Sequence, residues 1–243
     1  MNGARRRALW LLLVTFSAAA LIAFALARQQ PQPLPERQPG ERPALLLLTS
    51  LPLVFGEQFS LEDAGSPALR ALNTRYRVVP ISVADPPELA RGRLLLMAQP
   101  RAQPAEDLVA LDQWVRSGGR VLLLADPMLE WPSERPLGDP LRPPLMFGDT
   151  GLLAHWGLQL DAPETRGPRL ERLDDYPVMT VSAGTLSGRC ETSAEGLLAR
   201  CRIGKGRAVV IADADLLDAA ALGSEASHNL DAVLAELARL EEQ

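Results

Sequence analysis

Four aspartates follow apolar stretches of the sequence, at positions where carboxylates could hold a divalent cation. Asp85 lies in SVADP, Asp126 in LLLADP, and Asp213 and Asp215 in VVIADAD. If these stretches are parallel strands, the side chains meet beyond the carboxyl ends of the strands, where open α/β sheets bind ligands. Carboxylate oxygens are the ligands that Mg²⁺ prefers, so one hypothesis is a metal-assisted hydrolase. The competing interpretation is structural, because Asp caps helices and begins turns, and Asp85 and Asp126 both precede proline.

Motifs for nucleophilic or nucleotide chemistry are absent from the sequence. No Ser or Cys stands in a GxSxG-type turn, and neither His155 nor His228 has a recognisable nucleophile partner in sequence. No Walker GxxxxGKS/T motif occurs, and Gly204-Lys205-Gly206 is a tight-turn signal between two strands, not a phosphate-binding loop. The formal net charge of -5 gives no support for nucleic-acid binding. We therefore expect a non-catalytic protein with no cofactor and no bound metal.

The two cysteines, Cys190 and Cys201, are not spaced as a CxxC motif. If Glu195-Gly196 is a two-residue hairpin loop, the strands on either side pair so that the cysteines are directly opposed. Counting back from the loop puts them at a hydrogen-bonded pair, with Cα atoms about 5.5 Å apart, which is within disulfide range. The sequence therefore predicts a disulfide. The alternative is two buried free thiols, because a one-residue slip would put them on opposite faces.

Apolar runs alternate with helical patterns in the first half of the chain. Four runs predict buried strands, at residues 44–50, 76–83, 93–98 and 120–125, and residues 66–75 and 104–117 predict helices. Such alternation is typical of a right-handed, mostly parallel sheet. In the second half, shorter stretches predict antiparallel strands that extend the sheet, near residues 178–182, 189–193, 197–203 and 207–212, before a closing helix at 230–240.

A basic cluster and a long uncharged run open the chain. Arg5, Arg6 and Arg7 precede the apolar residues 8–27, and about 20 helical residues span the ~30 Å hydrocarbon core of a bilayer. By the positive-inside rule the arginines stay in the cytoplasm. The alternative is a cleavable signal peptide, because residues 25–27 fit the cleavage pattern, although the run is longer than a usual signal core.

This segment defines the predicted domains and localisation. Residues 1–28 form the cytoplasmic Arg cluster and transmembrane anchor of a single-pass bacterial inner-membrane protein, which contacts the lipid bilayer through residues 8–27. The Pro-rich residues 29–43 form an extended, solvated linker. Residues 44–243 form an extracytoplasmic α/β domain, located in the periplasm.

Several stretches together resemble the auxiliary component of gliding-motility-type ABC transport systems. They are LLLMAQPRAQPAEDLVALDQWVRSGGRVLLLADPM, GLLAHWGLQLD, GKGRAVVIADADLL and HNLDAVLAELARL, and their order and spacing cover most of residues 94–240. The resemblance implies a flavodoxin-like or amidotransferase-like fold, a mostly parallel sheet with an antiparallel β extension, without the amidotransferase nucleophile. It also implies that the protein functions together with separate ABC-type permease and ATPase subunits.

The sequence thus predicts a membrane-anchored periplasmic accessory or ligand-binding component of an ABC-type transport system. The alternative is the metal-assisted hydrolase that uses the strand-end aspartates. Because the family has no settled catalytic residues, we expect no catalytic residue. The candidates for ligand binding are Asp126, Asp213, Asp215 and Asn229.

Overall fold

A seven-stranded, mostly parallel sheet forms the fold, as seen in a computed structural model that describes residues 31–56, 65–193 and 195–242. The strands are β1 (Ala44–Thr49), β2 (Arg77–Ile81), β3 (Leu94–Ala98), β4 (Arg120–Leu124), β5 (Leu158–Asp161), β6 (Pro168–Leu173), β7 (Tyr176–Val181), β8 (Thr185–Gly188), β9 (Glu191–Thr192), β10 (Leu198–Ile203) and β11 (Gly206–Ile211). The α-helices are α1 (Pro67–Arg75), α2 (Pro86–Leu89), α3 (Ala105–Arg116), α4 (Leu152–Trp156), α5 (Ala219–Leu222) and α6 (Asn229–Glu242). Single 3-10 turns cover Pro39–Glu41, Asp215–Leu217 and Gly223–Ala226.

The strand order of the large sheet is β2-β1-β3-β4-β11-β10-β9. The first five strands of that order are parallel, and β10 and β9 continue the sheet in the antiparallel direction. The predicted α/β fold with a mostly parallel sheet and an antiparallel extension is therefore confirmed. The extension is smaller than the sequence suggested, because β7 pairs with β6, and β8 with β5, in two separate two-stranded sheets.

The parallel strands β1, β3, β4 and β11 are buried on both faces, which explains why they are almost uninterrupted apolar runs. Alternate residues of β1 point into two different cores: Leu45 and Leu47 into one, Leu46 and Leu48 into the other. Helices α1 and α6 cover the first core, and α3 and α4 cover the second. We call these the α6 face and the α3 face of the sheet.

The turn Gly204-Lys205 joins β10 to β11, as the sequence predicts, and fixes their register. Gly204 has φ 60°, the left-handed conformation that a two-residue type II′ loop requires of its first residue. The backbone N–H of Lys205 donates to the carbonyl of Arg116 (2.9 Å). A Cβ at Gly206 would lie 2.1 Å from the carbonyl oxygen of Val115. Only glycine therefore lets this hairpin pack against the end of α3.

Cys190 and Cys201 form a disulfide in the structure, with Cα atoms 4.9 Å apart. The pairing of β9 with β10 follows the register that the sequence predicts. The loop, however, is longer than two residues, because the pair that closes it is Ser193 with Leu198 (N–H to carbonyl, 2.8 Å). Since hydrogen-bonded and non-hydrogen-bonded pairs alternate, the cysteines occupy a non-hydrogen-bonded pair, not the hydrogen-bonded pair that was expected.

The last part of the Pro-rich stretch contacts the domain. Residues 34–243 form one compact unit. Arg37 donates to Glu241 (2.9 Å), its guanidinium lies 5.5 Å from the ring centroid of Tyr76, and its backbone N–H donates to Thr74. The sequence predicts a solvated linker here, and the difference arises because these partners come from α1, the residue that follows it, and α6, all distant in sequence.

No helix within residues 31–56, 65–193 or 195–242 combines the length and apolarity needed to cross a membrane. The predicted transmembrane segment, residues 8–27, and the Arg cluster before it lie outside the described residues.

Candidate functional site

Three of the candidate residues come together where β4 and β11 end. Asp126 follows β4, and Asp213 and Asp215 follow β11, the neighbouring parallel strand in the sheet. All three side chains are buried. The expectation that the strand-end aspartates converge at one edge of the sheet is met by these three residues, whereas Asp85 lies elsewhere and caps α2 by accepting from Glu88 N–H (2.9 Å).

The carboxylates of Asp126 and Asp213 each accept one hydrogen bond from a nearby backbone N–H group and one from a distant segment. Asp126 accepts from Met128 (2.7 Å) with one oxygen and from Ala214 (2.9 Å) with the other. Asp213 accepts from Leu216 (2.8 Å) and, through its second oxygen, from Val181 at the end of β7 (2.7 Å). Each carboxylate thus connects the chain just beyond the sheet to another segment, and both of its oxygens have partners.

Asp215 and Asn229 have the same kind of environment. Asp215 accepts from the backbone N–H of Glu130 (2.9 Å). The side chain of Asn229 accepts from Met179 N–H and donates to Met179 carbonyl, both at 2.8 Å, which ties the start of α6 to β7. None of the four candidate ligand-binding side chains is directed at open solvent, so any part they take in binding acts through the loops they hold.

Burial changes the protonation of these acids. Desolvation raises the pKa of Asp126 to about 6 and that of Asp215 to about 7. It raises the pKa of the fully buried Asp213 well above its usual range, and the charge of Asp126 adds to the effect. Burial therefore disfavours the charged carboxylates that Mg²⁺ prefers as ligands. In the described part of the chain, no group of three or more His, Cys, Asp or Glu side chains could hold a metal ion.

Gln99 is a residue of this edge that the sequence analysis did not single out. It is buried, directly follows β3, and has φ 42°. Its side chain accepts from Asp126 N–H (3.0 Å) and donates to the carbonyls of Asp126 (3.1 Å) and Pro144 (3.2 Å). A strained turn between a strand and a helix is where some α/β enzymes hold a nucleophile, but a carboxamide is not a nucleophile. No sequence signal marks this conformation.

An open cavity of about 630 Å³ lies beyond the carboxyl ends of β1 and β2. Its lining is mostly apolar: Leu47, Thr49, Ser50, Leu51, Pro52, Val54, Phe55, Gly56, Pro80, Ile81, Ser82, Arg135 and Leu141. The hydroxyl of Thr49 donates to Ala98 carbonyl (2.8 Å), and that of Ser50 donates to Gln99 carbonyl. The chain runs from β1 to β2 and then crosses back over β1 to β3. The switch point beside which ligands of open α/β sheets bind is therefore between β1 and β3, next to this cavity.

The rim of this cavity exposes large apolar side chains. Phe55 is 69% exposed and Leu141 is 66% exposed. Leu137, Leu145 and Met146 are also exposed, in the same loop that leaves β4. Exposed apolar side chains beside a cavity, such as Phe55 and Leu141, are typical of protein interaction surfaces and of ligand-binding grooves.

Comparisons with known proteins identify a family and a fold. The family described as "ABC-type uncharacterized transport system" matches residues 32–165. No curated protein matches the chain. Among solved structures, the mmIFT52 N-terminal domain is 15% identical, covers 80% of this chain and 96% of its own, and has a TM-score of 0.52. The exo-beta-1,4-mannosidase Op5Man5 from Opitutaceae bacterium strain TAV5 is 12% identical, with a TM-score of 0.50. The match covers 80% of this chain but only 36% of that protein. At these identities the likeness concerns the fold alone.

Proposed function

The chain belongs to the family of ABC-type uncharacterized transport systems, and from that premise we propose that it is a non-catalytic, membrane-anchored accessory subunit of such a system. In this proposal, residues 8–27 anchor the chain in the bacterial inner membrane and residues 44–243 lie in the periplasm. The fold in this proposal is flavodoxin-like, since the parallel strands follow the order 2-1-3-4-5 when β11 is counted as the fifth.

One observation carries the non-catalytic part of the proposal. The strong polar groups at the carboxyl edge, the side chains of Gln99, Asp126, Asp213 and Asp215, are engaged with backbone groups. General acid–base catalysis needs a side chain within hydrogen-bond reach of the substrate, and these side chains are instead used to hold the loops around the cavity. The loops therefore have a fixed shape, which suits recognition of a partner.

The rim of the cavity is the surface that this proposal assigns to the partner. The occupant is an apolar segment of the permease subunit, because exposed Phe55 and Leu141 border an apolar cavity of about 630 Å³. A long loop without secondary structure of its own is commonly functional. The loop after β4 is such a loop, and it supplies Leu141.

Photocrosslinking tests the assignment of this surface. A photoreactive phenylalanine replaces Leu141 in the full chain, which is co-expressed with the ATPase and permease subunits of an ABC-type transport system from the same genome. Leu170 is the matched control, because it is also a leucine and is 65% exposed, compared with 66% for Leu141. Crosslinks to the permease from position 141 and not from 170 are expected. Equal crosslinking from both positions, or none from either, would contradict the assignment.

Reporter fusions test the membrane topology. A C-terminal alkaline phosphatase fusion is expected to be active, because the Arg cluster holds the N-terminus in the cytoplasm. An inactive phosphatase fusion together with an active cytoplasmic reporter would overturn it.

The metal-assisted hydrolase remains the second hypothesis, and a substrate screen distinguishes the two. The full chain is assayed for hydrolysis of ATP, esters and phosphoesters with and without Mg²⁺, and no turnover is expected. Mg²⁺-dependent turnover that Asp213→Asn abolishes would favour the hydrolase.

A further inference from the structure

Two arginines face each other across the hairpin formed by β10 and β11. Arg202 and Arg207 are register partners, one pair beyond the residues that flank the Gly204-Lys205 turn. In a two-residue loop the flanking pair is hydrogen-bonded, so the next pair is the non-hydrogen-bonded kind, with Cα atoms only about 4.5 Å apart. Like charges directly opposite on neighbouring strands are destabilising. The turn and the close approach of Gly206 to Val115 prevent a register slip that would separate them.

A third arginine continues this row on the same face of the sheet. Arg120 is the register partner of Arg207 on β4. Both lie on the α6 face, because Leu122 and Val209, two residues further along these strands, belong to the core under α6. Adjacent strands are about 4.8 Å apart, so the three guanidinium groups can reach a common ligand.

The described residues provide no salt-bridge partner for these three arginines. The neighbouring arginines are different, because Arg200 binds Asp174 (2.6 Å) and Glu236 (2.7 Å), and Arg239 binds the same two acids. Two arginines and two carboxylates thus neutralise each other beside the row.

A cavity of about 360 Å³ lies against the row, between β10, β11 and the end of α6. Arg202 and Arg207 line it, together with the neutralised pair Arg200 and Arg239, and Glu191 is the one carboxylate in the lining that has no salt bridge in the described chain. The cavity therefore has an excess of positive charge, and Arg120, the register partner of the lining residue Arg207 on β4, adds positive charge beside it.

We propose that this cavity binds a phosphate group, held by Arg202 and Arg207 with Arg120 beside them. Arginine presents its N–H donors in a planar fork that matches the oxygens of phosphate. An anion placed between Arg202 and Arg207 would turn their mutual repulsion into two attractive contacts. We call this the amino-edge phosphate site, because β4 and β11 begin there.

The phosphate has two possible sources, which share this chemistry: a free phosphate compound or the headgroup of an anionic phospholipid. The chain enters β1 at this same edge of the sheet, directly after the Pro-rich stretch, so a headgroup source is compatible with the proposed membrane anchor.

Calorimetry on the full chain in nanodiscs tests the site and distinguishes the sources. Inorganic phosphate is titrated into protein in neutral phosphatidylcholine discs and into protein in discs that also contain phosphatidylglycerol. The variant Arg202→Gln/Arg207→Gln removes the site. The matched control is Arg77→Gln/Arg93→Gln, which removes the same charge from the same edge of the sheet but on the α3 face. Like Arg202 and Arg207, these two residues have no salt bridge in the described chain.

We expect phosphate binding in neutral discs that falls at least 10-fold in the Arg202/Arg207 variant and less than 2-fold in the control. Loss of phosphate binding in the phosphatidylglycerol discs identifies the headgroup as the source, and unchanged binding identifies a free compound. Two results would overturn the proposal: no phosphate binding by the unmodified chain in neutral discs, or an equal loss in both variants, which would show a general charge effect.

Discussion

The two edges of the parallel sheet carry ionisable groups of opposite type, acids at one edge and arginines at the other, and they use them differently. At the carboxyl edge, Asp126, Asp213 and Asp215 are buried and accept backbone hydrogen bonds. At the amino edge, Arg202 and Arg207 reach solvent and have no carboxylate partner among the described residues. The formal net charge of -5 conceals this separation.

The difference shows which edge is built for stability and which is available to a ligand. Removing a buried acceptor lowers the free energy of unfolding, because the buried N–H donors that the fold holds beside it lose their partner. An exposed arginine beside a second arginine contributes nothing favourable to folding. The acids therefore stabilise the shape of the carboxyl-edge loops, whereas the arginines are available to bind an anion.

The largest expected effect is on the acidic edge. Asp213→Ala leaves the N–H groups of Val181 and Leu216 without an acceptor. Each buried unpaired donor costs about 1–3 kcal/mol, so we expect the free energy of unfolding to fall by about 3 kcal/mol in denaturant titrations. Arg202→Ala, the matched change at the basic edge, should alter it by less than about 0.5 kcal/mol. Similar losses from both would remove the distinction between the edges.

The disulfide gives the next effect, because it closes the strand pair that borders the basic edge. Cys190 and Cys201 are separated by 11 positions, and a loop of this size is worth roughly 2–3 kcal/mol in the chain-entropy model. We expect Cys190→Ser/Cys201→Ser to lose that amount in denaturant titrations. Alkylation without reductant, followed by mass spectrometry, checks the bond itself. Two alkylated cysteines in the native periplasmic chain would contradict it.

Predictability from the sequence depends on how local the cause is. β1, β3 and β4 were predictable because strands buried on both faces are short apolar runs bounded by turn residues. β6 was missed because all of its side chains except Leu173 are exposed or half-buried, so it has no apolar run. The hydrogen bond from Ala214 to Asp126 joins residues 88 positions apart. Predicting this hydrogen bond requires knowing that β4 and β11 are neighbours in the sheet, which no local sequence pattern indicates.

The pH dependence of stability probes the acidic edge as a unit. Asp126 and Asp215 have folded-state pKa values of about 6 and about 7, above their ordinary value of 3.8, so the folded state binds more protons than the unfolded state. Their contribution is therefore fully present below about pH 4 and is lost as the pH rises through 6 to 7.

We expect the free energy of unfolding to fall by about 2 kcal/mol between pH 5 and pH 7.5. This is less than the limit of about 1.4 kcal/mol per group and pH unit, because both carboxyls ionise within this range in the folded state and neighbouring carboxyls do not ionise independently. Asp215→Asn should flatten the profile, whereas Arg202→Gln should not. A profile that rises over this range would mean that the acids are ionised and stabilising in the folded state.

The smallest expected effect concerns the basic edge and has the opposite sign. Without phosphate and at low salt, Arg207→Gln should raise the free energy of unfolding by about 0.5 kcal/mol, because it removes a like-charge pair. The gain should shrink at high salt, which screens exposed charges. The control Arg93→Gln, on the other face of the same edge, should show no gain. Added phosphate should reverse the order, because a ligand that binds only the folded state stabilises the unmodified chain more than the variant. A gain that phosphate leaves unchanged would mean that the two arginines repel each other and bind no anion.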